Sequence, residues 1–182
     1  DRFGNAVANT TTLNLSYGVG LVAEGTGVLL NNELDDFAAK PGAPNAFGLI
    51  GGEANAPGPR KRPLSSMTPT IVLKEGKPFI VTGSPGGSRI ITTVLQVLVN
   101  IIDRKLPIAE AISEPRVHHQ WWPDEVAVEQ GFSPDLIRAL KARGHNVADG
   151  LPRTSANSIL VTPQGFVGAA DNRTRGALAV GY

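Results

Sequence analysis

Several short stretches of this 182-residue chain carry groups suited to holding a small charged molecule. The first is rich in glycine, Thr82-Gly83-Ser84-Pro85-Gly86-Gly87-Ser88. Successive backbone N–H groups at a helix entrance attract an anion and can stabilise an oxyanion as it forms. The same residues also suit a tight turn that lets a helix pack closely on a sheet. No Lys-Ser/Thr pair follows and the dinucleotide glycine spacing is missing, so neither nucleotide-binding signature is present. The second stretch, Asn31-Asn32-Glu33-Leu34-Asp35-Asp36, can hold an ammonium group or stand as a solvated loop. It lacks the alternating ligands and central glycine of a calcium loop. The third is Arg60-Lys61-Arg62-Pro63-Leu64-Ser65-Ser66-Met67, where two hydroxyls beside a basic run can hold a carboxylate or form a charged surface turn. Thr12 and Asn14 sit at alternate positions of a Thr-rich segment and would share one face of a strand. His118-His119 reads as a satisfied, packed pair, because neighbouring side chains point apart in extended chain, and Trp121-Trp122 reads as core or interface.

The elements that must position these residues follow from pattern. Residues 6–16, rich in Thr, Val and Leu, read as a strand, and the Gly-punctuated residues 18–30 as a second extended region. Residues 41–63 are too irregular and too long for an ordinary connection, which points to a lid or binding loop. Residues 70–73 and 78–82 flank Lys74-Glu75-Gly76-Lys77 as a hairpin. Ile90, Ile91, Val94, Leu95, Leu98, Val99, Ile101 and Ile102 give a wide helical stripe, expected to be buried on most sides. A short helix over 107–113, a strand over 126–129, a helix from Ser133-Pro134 to Gly144 and a hairpin around Pro163-Gln164-Gly165 complete the order. The expected class is α+β with a layered core.

Composition narrows the function. Lys+Arg is 17 against 16 Asp+Glu, a net charge of +1, which offers no general surface for nucleic acid. There is no cysteine, so disulfides, thiolate metal sites and cysteine nucleophiles are excluded. No apolar run is long enough to span a bilayer. Neither a G-x-S-x-G elbow nor an H-E-x-x-H helix occurs.

Six motifs in order carry a resemblance: G-N-A-V-A…T-L-N (4–14), G-V-L-L-N-N-E-L-D-D-F (27–37), K-P-G-A-P-N-A-F-G-L (40–49), K-R-P-L-S-S-M-T-P-T (61–70), T-G-S-P-G-G-S-R-I-I (82–91) and E-P-R-V-H-H-Q-W (114–121). Together they resemble the small, C-terminal subunit of gamma-glutamyltranspeptidases, N-terminal-nucleophile hydrolases, over residues 1–182. The resemblance implies part of a four-layer αββα sandwich, made as one zymogen precursor that cleaves itself into a heterodimer. Its nucleophile is the new N-terminal Thr, whose own amine can assist proton transfer. By the same resemblance Thr12 bonds that nucleophile, and Asn14, Glu33 and Asp36 surround the substrate α-amino group. Ser65 and Ser66 hold its α-carboxylate, Gly86 and Gly87 form the oxyanion hole, and residues 41–52 are the lid. The implied reaction is gamma-glutamyl hydrolysis or transfer from glutathione-like compounds to water, an amino acid or a peptide, without metal or organic cofactor. The implied partner is the large subunit, and the implied location periplasmic or secreted.

Two departures accompany the resemblance. The family's nucleophilic Thr lies several residues before the position of Asp1, so this chain, whose Thr10, Thr11 and Thr12 are internal, is expected to be inactive by itself. Phe47 stands where the family's lid often carries a Tyr, which removes a hydroxyl bond to Asn14. The rivals are a cephalosporin or glutaryl acylase of the same family, an inactive binding or scaffold subunit, and a capsule-polymer transpeptidase. Asp36 with Ser65 and Ser66 favours an α-amino acid end over a glutaryl group, and the long lid favours a small substrate.

Overall fold

A computed structural model describes residues 1–152 and 154–181. Tyr182, the last residue of the expected domain 1–182, lies outside the described residues. The chain divides into two compact units, one formed by Asp1–Thr10 with Met67–Tyr182 and one by Thr11–Ser66.

The first unit holds every named strand and α-helix. Strands β1 (Thr70–Lys74) and β2 (Lys77–Gly83) form the expected hairpin. Glu75 and Gly76 at its tip both have positive φ, 53° and 76°, the backbone that matches the twist of paired strands. Helix α1 (Arg89–Ile102) and α2 (Ile108–Ser113) follow. Then come β3 (Val117–His118), β4 (Val126–Val128), α3 (Pro134–Ala142), β5 (Val147–Asp149) and the hairpin of β6 (Asn157–Thr162) and β7 (Gly165–Ala169). One sheet runs β1-β2-β6-β7, antiparallel throughout. The other runs β3-β4-β5, with β4 and β5 parallel across the α3 crossover. Two sheets flanked by helices give the α+β class and the layered arrangement of an αββα N-terminal-nucleophile hydrolase.

The core lies between the larger sheet and the first two helices. Ile80, Val97, Ile101, Ile108, Ala111, Ile112, Ala156 and Ala169 form one buried cluster. Ile80 pairs with Leu160 in register, and the next inward pair, Thr82 and Ser158, is joined by a 2.8 Å hydroxyl bond, so its polar atoms are not stranded. Helix α1 buries Ile90, Val94, Val97 and Ile101. The opposite row, Ile91, Leu95, Val99 and Ile102, is exposed, which corrects the expectation of a helix buried on most sides. The stripe is as wide as the sequence indicates, but this chain covers only part of it.

The second unit is built from turns rather than strands. The expected strand over residues 6–16 does not form, and the region after it contributes only an antiparallel bridge between Val22 and Leu29. Glycine is required at Gly18, where φ is 52° and an added Cβ would come within 1.9 Å of the Leu30 carbonyl oxygen. The polar run is a 3₁₀ turn over Glu33–Asp36, and a second such turn covers Glu53–Asn55. No helix among the described residues is long and apolar enough to cross a membrane.

Candidate active site

The predicted residues fall into two groups, one in each unit. In the second unit, the chain reverses at Asn14, whose φ is 70°. Asparagine tolerates that backbone better than branched residues do. Thr12 Oγ1 accepts from the Asn14 N–H at 2.8 Å, and Asn14 Nδ2 donates to the Asn32 carbonyl at 3.1 Å. Asn32 answers from its side chain, taking the Leu15 N–H at 3.0 Å and donating to Asp35 at 2.8 Å. Asn31 Oδ1 accepts from the Glu33 N–H at 2.9 Å, just before the acidic turn. The structure therefore brings Thr12, Asn14, Glu33 and Asp36 onto one pair of adjoining turns.

The carboxyls of Glu33 and Asp36 are electrostatically linked. Burial, then the charge of Asp36 and its hydrogen bond, raise the Glu33 pKa; the Asn14 backbone N–H pulls the other way. Burial likewise raises Asp36, with the Glu33 hydrogen bond opposing and Asp35 reinforcing. Glu33 Oε1 is buried without a hydrogen-bond partner. Among the described residues no Lys or Arg forms an ion pair with either carboxyl. Two neighbouring carboxyls without a cation can hold a shared proton or a cationic group.

Asn55 is a residue the sequence reading missed. Its Nδ2 donates to the Asp36 carbonyl at 2.8 Å and its Oδ1 accepts from the Leu64 N–H at 3.0 Å. It thereby ties the acidic turn to the chain entering Ser65, which is exposed, and Ser66, which is half-buried. Its signal, an Asn between two Pro/Gly-rich stretches, is indistinguishable from an ordinary turn residue. Residues 41–52 are ordered locally by Asn45, whose Oδ1 accepts from the Phe47 and Leu49 N–H groups at 2.9 and 3.0 Å, while Pro44 bridges Ile50.

In the first unit, the glycine stretch opens α1 as expected. Gly86 and Gly87 have φ of 135° and 59°, so neither position suits a side chain. Ile90 N–H bonds the Gly87 carbonyl at 3.0 Å, closing the first turn. Ser88 Oγ reaches Gln120 Oε1 at 2.6 Å, and His118 Nε2 meets the same oxygen at 2.9 Å. Thr92 bonds His118 Nδ1 at 2.8 Å. Burial lowers the His118 pKa, so the ring is held neutral; the Gln120 bond opposes this and Arg89 reinforces it. Arg89 follows the turn as a half-buried cation whose own pKa is lowered by burial and whose Nε lacks a hydrogen-bond partner.

His118 is thus the buried, satisfied histidine the sequence suggests, but His119 is not packed with it: it is exposed and meets Asp124 at 3.1 Å. Trp121 and Trp122 are 76% and 53% exposed, so within this chain they are not core. Among the described residues no cluster of His, Asp and Glu has the geometry of a metal site.

The candidate residues thus comprise a glycine turn at a helix entrance in one unit and a separate dicarboxyl turn in the other. The family profile described as gamma-glutamyltranspeptidase matches residues 1–181. The chain belongs to the gamma-glutamyltranspeptidase family. Among relatives, the glutathione hydrolase proenzyme of Escherichia coli strain K12 is 60% identical over 183 residues, covering 100% of this chain and 32% of that protein. A crystal structure of a mutant Helicobacter pylori gamma-glutamyltranspeptidase matches with a TM-score of 0.92 at 51% identity, covering 96% of each chain. Gamma-glutamyltranspeptidase from Pseudomonas nitroreducens, solved in complex with L-DON, matches with a TM-score of 0.93 at 44% identity, covering 100% of this chain and 96% of that one. The chain spans about a third of the length of the curated relatives it matches, 32% and 34% for the first two, and corresponds to part of a larger precursor.

Proposed function

We propose that the complete protein is a gamma-glutamyl hydrolase and transpeptidase acting on glutathione and related compounds, and that this chain is its small subunit. The observation that carries the reading is the Glu33–Asp36 carboxyl pair, left without a cationic partner among the described residues. A gamma-glutamyl group ends in a zwitterion, and its ammonium supplies the missing charge. Ser65 and Ser66 take the α-carboxylate, and Asn14 the ammonium alongside Asp36.

The nucleophile in this reading is the hydroxyl of an N-terminal Thr created by self-cleavage upstream of Asp1. Its oxygen attacks the γ-carbonyl carbon while its own amine takes the hydroxyl proton and returns it to the leaving amine. Thr12 hydrogen-bonds that Thr, and the Gly86 and Gly87 N–H groups stabilise the oxyanion. Water or an acceptor amine then attacks the gamma-glutamyl ester and regenerates the Thr hydroxyl. Each step is proton transfer and acyl transfer, so no metal or organic cofactor is called for. Residues 41–52 act as the lid. The chain by itself is inactive, and the mature protein is periplasmic or secreted, which fractionation of the natural source tests.

The partner is the remainder of the precursor. Two observations support it: the chain spans about a third of its relatives, and the apolar row Ile91, Leu95, Val99 and Ile102 is exposed on α1. An uncovered apolar row of this kind marks a protein interface.

Asp36→Ala in the two-subunit protein tests the assignment. A charge-assisted hydrogen bond is worth roughly 1.5–3 kcal/mol, about ten- to hundredfold in kcat/KM. The loss falls on gamma-glutamyl substrates and spares glutaryl ones, which lack the ammonium. An equal loss on both removes Asp36 from ammonium recognition and favours the acylase reading.

A further inference from the structure

A side chain that no motif marks lies beside the glycine turn. A Cβ built on Gly86 would come within 2.5 Å of Thr154 Cγ2 and 3.4 Å of Thr154 Cβ. Thr154 is itself buried. Its hydroxyl accepts from Arg116 Nη1 at 2.7 Å and shares a 2.8 Å bond with Thr93 Oγ1 on α1. Arg116 is anchored in turn: its Nη2 donates to Asp171 Oδ2 at 2.6 Å and to the Ile112 carbonyl at 2.7 Å. Asp171 Oδ2 also accepts from the Ala156 N–H at 2.7 Å. One buried ion pair therefore fixes the segment 154–156 through both a side chain and the backbone. Arg173 extends the network, bonding Glu129 at 2.7 Å and Asp171 at 3.2 Å.

We propose that Thr154 is a positioning residue for the glycine turn. Its γ-methyl limits where the Gly86 backbone can sit, and its hydroxyl, held by Arg116 and Thr93, fixes that methyl in one rotamer. The proposal rests on reading Gly86 and Gly87 as oxyanion donors. Such donors act only when aimed at the charge that develops in the transition state, so a small displacement of the turn lowers kcat and leaves KM nearly untouched. Thr154→Ser keeps the hydroxyl and removes the methyl. Thr154→Val keeps a methyl against Gly86 and strands the Arg116 Nη1 donor.

The test uses the complete mature protein with gamma-glutamyl p-nitroanilide, with kcat, KM and the melting temperature read for each variant. Thr154→Ser is expected to lower kcat about tenfold, a fraction of the 10²–10³ lost with a whole donor. Its KM should stay within about twofold and its melting temperature close to that of the parent. Thr154→Val should lose melting temperature and cost less kcat than the serine. Gly86→Ala should lose more kcat than either, and adding Thr154→Ser should recover part of it, because the colliding methyl is gone. If Thr154→Ser keeps full kcat while Gly86→Ala is impaired, the role of Thr154 is overturned and the oxyanion reading stands. If Gly86→Ala keeps full kcat, an added methyl does not displace the turn and the proposal falls, while the oxyanion reading, whose N–H the alanine keeps, stands. No recovery in the double variant, or a valine costlier in kcat than the serine where both are folded, assigns Thr154 to packing alone.

Discussion

Asn55 holds Asp36 in place: its side-chain amide donates to the Asp36 carbonyl at 2.8 Å while its oxygen takes the Leu64 N–H at 3.0 Å. One side chain thereby sets the span between the acidic turn and the entrance to Ser65 and Ser66. If these are the two ends of a zwitterion clamp, the clamp is only as accurate as Asn55. Asn55→Ala removes two hydrogen bonds worth about 1 kcal/mol each, so KM for gamma-glutamyl substrates should rise by up to about thirtyfold, with a smaller change in kcat. An unchanged KM in steady-state assays would show that the two motifs are held apart by other means.

If Glu33 and Asp36 hold the substrate ammonium as proposed, their raised pKa values predict a pH dependence of substrate affinity. An ammonium binds the ionised pair, and the pair stays protonated to a higher pH than ordinary carboxyls do. KM for a gamma-glutamyl substrate should therefore increase as pH falls through mild acid, while the substrate's own amine stays charged. Asp36→Asn should flatten that limb. A KM that is level down to about pH 4 would contradict the pairing.

Stability runs on different groups. Burial alone would raise Asp171 and Glu129, but the bonds from Arg116 and Arg173 outweigh it and both pKa values end below the ordinary range. Groups depressed in the folded state give stability that is full above the unfolded pKa and lost as pH falls through the folded one. Burial also depresses His118, which adds a loss beginning below about pH 6.5. Glu33 and Asp36, being raised, act in the opposite sense. Denaturant melts should thus show a decline from about pH 6.5 and a steeper one below about pH 4. Asp171→Asn breaks a buried pair and should cost about 3–5 kcal/mol at neutral pH while flattening the acid limb. A variant as stable as the parent at neutral pH would mean the Arg116 charge is compensated elsewhere.

The lid assignment is open to a coupling test. On the proposed lid reading, Phe47→Tyr adds a hydroxyl within reach of Asn14, and a net hydrogen bond of about 1 kcal/mol would change the closed population several-fold. The effect on kcat and KM should vanish in an Asn14→Ala background, which a double-mutant cycle measures. Zero coupling would separate residues 41–52 from Asn14 and remove them as its lid.

The exposed row on α1 predicts an association defect. Leu95→Asp puts a charge in the middle of Ile91, Val99 and Ile102. It should leave the isolated chain's helix content unchanged but reduce recovery of the two-subunit protein on size exclusion. Normal assembly would place the large subunit elsewhere.

The first unit was readable in the sequence because its signals are local and periodic. The β1–β2 hairpin announces itself in Glu75-Gly76, α1 in its apolar stripe, and the β6–β7 hairpin in Pro163-Gln164-Gly165. The strand expected over residues 6–16 failed because Thr and Val propensity is satisfied only where a partner strand lies alongside, and none does among the described residues. The exposed row of α1 could not be foreseen, since width of a stripe reports total burial and not which chain provides it. The acidic and glycine turns were legible as motifs. Asn55 and Thr154 were not, because their importance lies in whom they touch: Asp36 and Leu64 in one case, Gly86 and Arg116 in the other.

The central claim, that a gamma-glutamyl group is carried on the N-terminal Thr of the small subunit, is tested most directly by intact mass. The complete protein is acid-quenched during turnover of gamma-glutamyl p-nitroanilide, and its chains are weighed and sequenced from their N-termini. The account predicts two chains from one precursor, with the smaller beginning at a Thr upstream of Asp1 and gaining the mass of one glutamyl residue on that Thr. A single uncleaved chain that turns over substrate, or an adduct on any other residue, would contradict it.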